Sequence, residues 1–187
     1  MEKAEQALLL QRHAEGILRA FSARDIVELK RIGADAAEEA FSFNSPCLVD
    51  VSIVAYSFSK FLEKHYILES PLWREFEPQV REELSRAIDF LRVRSTVQAC
   101  GIFRRCIMEI EELSRQLGRF SVDVVAKARI KAATQIYAHG ASLGKAAALT
   151  GADKRELSKY IGVTRMPEKY STLSVSQRLE AAKKVFS

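Results

Sequence analysis

The stretch Ala141-Ser142-Leu143-Gly144-Lys145-Ala146-Ala147-Ala148-Leu149-Thr150-Gly151-Ala152-Asp153-Lys154-Arg155-Glu156-Leu157-Ser158-Lys159-Tyr160-Ile161-Gly162 decides the reading of this chain. Ser142 begins a short helix rich in alanine. Gly151 stops that helix, because the tight turn after it wants a residue free to take positive φ. Asp153 caps a second short helix, Glu156 completes a capping box, and Gly162 ends it. Two helices joined by about three or four residues, with Gly in the turn, are the pattern of a helix-turn-helix. Ala147 stands where the two helices cross, since a larger side chain there would push them apart. Leu143, Ala146, Ala152, Leu157 and either Tyr160 or Ile161 form the shared core.

The second helix then presents Lys154, Arg155, Ser158 and Lys159 to solvent. In this motif the second helix enters the major groove with its N-terminal residues foremost, and arginine is the best-suited residue for bidentate reading of guanine. Ser142, Lys145 and Arg165 stand where they would hold phosphates, which sets register without reading sequence. The expected ligand is double-stranded DNA. The competing reading is a helical protein-interaction module in which the same geometry is structural.

Charge is distributed in the same sense. Residues 1–118 hold 16 Lys+Arg against 19 Asp+Glu, whereas residues 119–187 hold 13 against 5. All the excess positive charge thus lies in the C-terminal third, as expected when one module faces a polyanion. A solvated basic face with no partner would give the same count.

The rest of the chain reads with a helical period, and alternating β-type segments are almost absent. A first helix spans about Lys3 to Ala20. Asp25 caps a second towards Phe41, with Gly33 a possible break, and Asn44-Ser45-Pro46 punctuates the chain. Val51, Ala55, Phe58 and Leu62 mark a third helix ending near His65. Pro78 fits the first turn of a helix through Leu84, Ile88 and Leu91. Ser95 and Gln98 form a capping box for a helix ending at Gly118. Ser121 starts a further helix closed by Gly140. The fold class is all-α: a helical bundle over 1–120 for dimerisation or interaction, a helix-turn-helix module over 121–165, and a linker with a short C-terminal amphipathic helix over 166–187.

Several function classes lose support here. The apolar run Leu48 to Leu62 is interrupted by Asp50, Ser52, Ser57, Ser59 and Lys60, so no membrane span is expected. The polar, acidic start is not that of a signal peptide. Trp73, Phe76 and Phe90 read as core or interface anchors. Glu109, Glu111 and Glu112 read as a solvated helix face, with Arg104 and Arg105 able to bridge to Glu109 or Glu111. His13, His65 and His139 are scattered, and no phosphate loop, nucleophile elbow or metal-ligand spacing is found. No enzyme, metal or cofactor is expected. Cys47, Cys100 and Cys106 read as small buried hydrophobes of a reducing cytoplasm.

Ile136-Tyr137-Ala138-His139-Gly140-Ala141-Ser142-Leu143-Gly144-Lys145-Ala146-Ala147, with Leu157-Ser158-Lys159-Tyr160-Ile161-Gly162, resembles small prokaryotic, especially archaeal, helix-turn-helix proteins of the antitoxin or regulator type. The end, Ser176-Gln177-Arg178-Leu179-Glu180-Ala181-Ala182-Lys183-Lys184-Val185-Phe186, is similar to their short terminal helix. The resemblance covers about residues 130–187. It implies a DNA-binding transcription regulator paired with a PIN-domain ribonuclease toxin, which the tail would grip through Leu179 and Phe186. Read from its residues alone, the tail helix can equally fold back on its own bundle. Two-fold symmetry would place the recognition helices of a homodimer in successive major grooves.

Overall fold

A computed structural model describes residues 2–118 and 123–164. They form nine helices and, among the described residues, no strand. The order is α1 (Glu2–Ser22), α2 (Ile26–Ser42), α3 (Pro46–Leu62), α4 (His65–Leu68), α5 (Pro71–Arg92), α6 (Thr96–Gln116), α7 (Val124–Ala138), α8 (Leu143–Thr150) and α9 (Lys154–Thr164). The all-α expectation holds. No helix of the described residues is long and apolar enough to cross a membrane.

Helix α3 is the axis of the molecule. It packs against α1, α2, α4, α6, α7 and α8, so only a few of its positions, such as Asp50, Tyr56 and Lys60, keep partial access to water. Its buried residues therefore go all round the helix, from Leu48, Val51 and Ile53 to Phe58 and Phe61. Two of the three serines among them satisfy their hydroxyls on backbone: Ser52 Oγ donates to the Gly33 carbonyl at 2.6 Å and Ser59 Oγ to that of Tyr56 at 2.6 Å, whereas the buried Ser57 Oγ has no partner among the described residues. At one end Phe21, Phe58, Phe61, Trp73 and Phe76 form an aromatic cluster, with Phe21 and Phe58 centred 4.5 Å apart and Phe61 edge-on to Trp73 at 6.0 Å. Trp73 Nε1 donates to Glu77 at 2.9 Å, which lets the indole be buried without stranding its N–H. The aromatics are core anchors, as their pattern implied.

Gly33 does not break α2. It lets α2 lie close against α3: a Cβ there would stand 3.3 Å from the Ser52 carbonyl oxygen and 3.5 Å from the Tyr56 nitrogen. Ala36, Ala37 and Ala40 continue the same thin, fully buried stripe.

Other local expectations are corrected. Helix α5 starts at Pro71 because Ser70 accepts a hydrogen bond from the Trp73 N–H at 3.2 Å, so Pro78 lies inside the helix and not in its first turn. Both Pro78 and Arg74 are exposed, so the carbonyl released by the missing N–H faces water. The Ser95 box does not form, because Arg94 takes a left-handed φ of 58° and the Ser95 N–H is already donated to the Phe90 carbonyl at 2.8 Å. Helix α3 stops at Leu62, and a separate turn, α4, contains His65. Arg104 and Arg105 turn away from Glu109 and Glu111 and pair with Asp50 (3.3 Å) and Glu83 (2.9 Å) on neighbouring helices.

The cysteines are the largest correction. Cys47 and Cys100 are joined in a disulfide, with Cα atoms 5.5 Å apart, tying the start of α3 to α6. These residues lie 53 positions apart in the chain, and only the packing of α3 on α6 brings them together. Cys106 alone stays a buried thiol, and burial, reinforced by Glu109 and Glu83, pushes it up to about 12.

Candidate nucleic-acid interface

Helix α7 carries the C-terminal unit. Val124, Val125, Ala128, Ala132, Ala133 and Ile136 are buried in the common core, and α7 packs against α2, α3 and α6 on one side and α8 and α9 on the other. It ends in a Schellman-type closure at the expected glycine: Gly140 takes φ 100°, its N–H meets the Tyr137 carbonyl at 3.0 Å and the Ala141 N–H that of Ile136 at 3.3 Å. His139, at that end, donates from Nδ1 to the Gln135 carbonyl (2.8 Å) and reaches Glu38 with Nε2 at 2.8 Å.

Ser142 caps α8 by accepting from the Lys145 N–H at 3.1 Å. Gly151 ends α8 at φ 66°. Three residues later α9 begins, capped by Asp153, whose Oδ1 accepts from the N–H groups of Arg155 (2.9 Å) and Glu156 (2.8 Å). The Glu156 side chain itself is exposed and lines a groove between α7 and α9. Helix α9 runs through Gly162 to Thr164 instead of ending at the glycine, which does not take the left-handed φ that a helix-ending glycine adopts.

The three helices share a small core. Ala146 and Leu157 are fully buried, Ala147 nearly so, and Leu143, Ala152 and Ile161 close over them. Between Tyr160 and Ile161 the structure decides for Ile161. Tyr160 stands on the outer face, with Lys131 Nζ 6.0 Å from its ring centre.

Four of the expected ligand-binding residues meet. Lys154, Arg155, Ser158 and Lys159 line one shallow groove with Leu143 at the leading end of α9. All four are exposed, and the three cations make no ion pair among the described residues. The body of the molecule is different. There Arg31, Arg81, Arg86, Arg104, Arg105 and Arg115 each engage a carboxylate within 3.3 Å. Ser142 is exposed and precedes Leu143 in the chain but is not among the residues lining that groove. Lys145 does not join it: its ammonium lies 5.1 Å over the ring of Phe41, which ties α8 to α2. Arg165 lies outside the described residues, as do Ser121 and the tail residues Leu179 and Phe186.

Two residues escaped the sequence reading. Arg129 of α7 donates from Nη1 to the Thr150 carbonyl at 3.0 Å, capping the C-terminus of α8 from outside the helix. Lys131, two residues further along α7, faces α9 and the bundle. Neither has a local signature, because each acts on a residue about twenty or more positions later. Glu109 also departs from its expected solvated role: it is half-buried, one carboxylate oxygen has no partner, and burial with nearby Glu83 raises its pKa. Among the described residues no group of acidic, His or Cys side chains is placed to hold a metal ion.

No protein-family model, curated protein or solved structure matches the chain.

Proposed function

We propose that this chain is a DNA-binding transcription regulator in which α8, the turn and α9 act as a helix-turn-helix, with α9 lying in the major groove. The observation that carries the reading is the cluster of Lys154, Arg155, Ser158 and Lys159 on one open groove, its cations unneutralised in a protein that pairs most of its others. In this reading Arg155 and Lys154 read base edges, while Ser142, Lys159 and Arg165 contact phosphate. Lys145 is left a minor part by its seat over Phe41. A homodimer formed through the bundle would offer two such helices to a palindromic site.

The resemblance to antitoxins extends the proposal to a PIN-domain toxin partner gripped by the tail. A role on DNA places the chain in the cytoplasm. Intracellular disulfides are rare outside hyperthermophilic archaea and bacteria, so a cytoplasmic role with the Cys47–Cys100 bond formed calls for a source of that kind.

Selection of bound duplexes from a random pool tests the assignment. Arg155→Ala is expected to cost about 1–3 kcal/mol at the selected site and to relax base preference at one position. Unchanged binding by the Lys154→Ala/Arg155→Ala double variant would refute it. Capture of a tightly bound protein, with no salt-sensitive retention of the chain on DNA, would favour the interaction-module reading instead.

A further inference from the structure

A second basic feature lies where α7 meets α2 and α3. Lys30, Gly33 and Ala34 of α2, Ser52, Tyr56 and Lys60 of α3, and Lys131, Ala132 and Gln135 of α7 enclose a cavity of about 240 Å³. Its rear wall is the close contact of α2 and α3 that the missing side chain of Gly33 permits. Lysines from three helices border it: Lys30 from α2, Lys60 from α3 and Lys131 from α7.

One carboxylate offsets them. Glu63 takes Lys30 at 2.6 Å and Lys60 at 2.8 Å. Burial would raise the Glu63 pKa, but the two ammoniums outweigh burial and hold it below its ordinary value, so Glu63 is charged. Lys131 has no carboxylate partner among the described residues. The site is therefore left with an excess of two positive charges, three lysines against Glu63. Bringing like charges together around a partly enclosed space costs free energy that a bound anion would return.

The chemistry of the walls narrows the ligand. There is no guanidinium, the planar fork suited to carboxylates, but there are three lysines, which act on phosphate as point charges. Burial, with Tyr160 and Glu63 adding to it and Lys30 opposing, raises the Tyr56 pKa, so its phenol keeps its proton. Tyr56 and the Gln135 amide supply directional donors. The Ser52 hydroxyl proton is already spent on the Gly33 carbonyl. A phosphate monoester carries about −1.5 to −2 charge near neutral pH, which matches the excess. The volume lies below the range of about 300–1,000 Å³ usual for drug-sized ligands, so the organic part must be small.

We propose that this cavity between α2, α3 and α7 binds a small phosphate monoester, held by Lys30, Lys60 and Lys131 with Tyr56 and Gln135 as donors. The site is separate from the groove on α9 and does not depend on the DNA-binding reading.

Calorimetric titration of the full chain with glycerol 3-phosphate tests the proposal. One saturable site is expected, with inorganic phosphate competing for it and glycerol failing to bind. Lys131→Gln is expected to weaken binding about tenfold or more, as befits one lost charge-assisted contact. Lys60→Gln should weaken it too. Lys127→Gln, on an exposed position of the same helix outside the cavity, should leave it unchanged. Lys131 makes no ion pair among the described residues and its contact with the exposed Tyr160 ring is long, so its variant should shift the urea midpoint only slightly. Absence of saturable binding up to millimolar ligand, equal losses from Lys127→Gln and Lys131→Gln, or glycerol binding as well as its phosphate would each overturn the proposal.

Discussion

At Gly151 the backbone and one distant arginine make the same demand. The residue takes φ 66°, and a Cβ there would stand 2.9 Å from Arg129 Nη1. Gly151→Ala therefore meets a left-handed backbone cost of about 1–2 kcal/mol and also displaces the guanidinium from the Thr150 carbonyl. Arg129→Ala alone should cost about 1 kcal/mol, the worth of one ordinary hydrogen bond. In urea unfolding the double variant is expected to lose less than the two single losses together, because truncating Arg129 removes the clash. Glu109 gives a prediction of opposite sign. Its folded pKa is raised, so the native state binds this proton more tightly than the unfolded chain. Its contribution to stability is thus favourable only at low pH and is lost as pH rises above the ordinary carboxylate value of about 4.3 and through the raised one. Glu109→Gln should raise the urea midpoint near pH 8 and give no gain near pH 4.

Among the elements, α2 and α3 show how far helix packing depends on what is missing from a side chain. Gly33 costs α2 some helix propensity and in return allows the approach of the Ser52 backbone. Gly33→Val would force branched carbons onto that backbone and should destabilise the fold by about 1–3 kcal/mol, read from chemical denaturation. The same substitution would fill the rear of the lysine-lined cavity. Helix α7 links the two surfaces, burying one stripe in the bundle while Arg129 and Lys131 serve α8 and α9. This explains why the short α8 and α9 hold their geometry: helices of 8 and 11 residues are marginal alone and depend on the stripe beneath them.

For the whole molecule the Cys47–Cys100 bond is the longest covalent constraint. A loop spanning 53 positions is closed by it, which in the chain-entropy account stabilises the fold by about 4 kcal/mol, with measured effects of native disulfides commonly about 2–5 kcal/mol. Cys47→Ser/Cys100→Ser is expected to lower unfolding stability by that order, and a reducing agent should do the same to the wild type without affecting the double variant. Cys106 should not substitute for either partner, since it is fully buried and its thiol is held protonated by burial.

The sequence by itself determined the helical class, most helix positions and the geometry of the α8–α9 turn. Those features are local: a cap acts within about three residues, a glycine at positive φ acts on its own backbone, and a buried stripe repeats every turn. That locality is why Ser142, Gly151 and Asp153 were legible, and why the exposed positions Lys154, Arg155, Ser158 and Lys159 followed from the period of α9. Where two local signals competed, local reading went astray, as at Pro78 and Ser95, and at Gly162 a glycine was no stop because its φ stays out of the left-handed region. Only the tertiary structure decided the rest. The bond between Cys47 and Cys100, the cap that Arg129 gives to α8, the seat of Lys145 over Phe41 and the meeting of Lys30, Lys60 and Lys131 all join residues from different helices. Their distances depend on how α2, α3, α6 and α7 pack, and no periodicity within one helix encodes that.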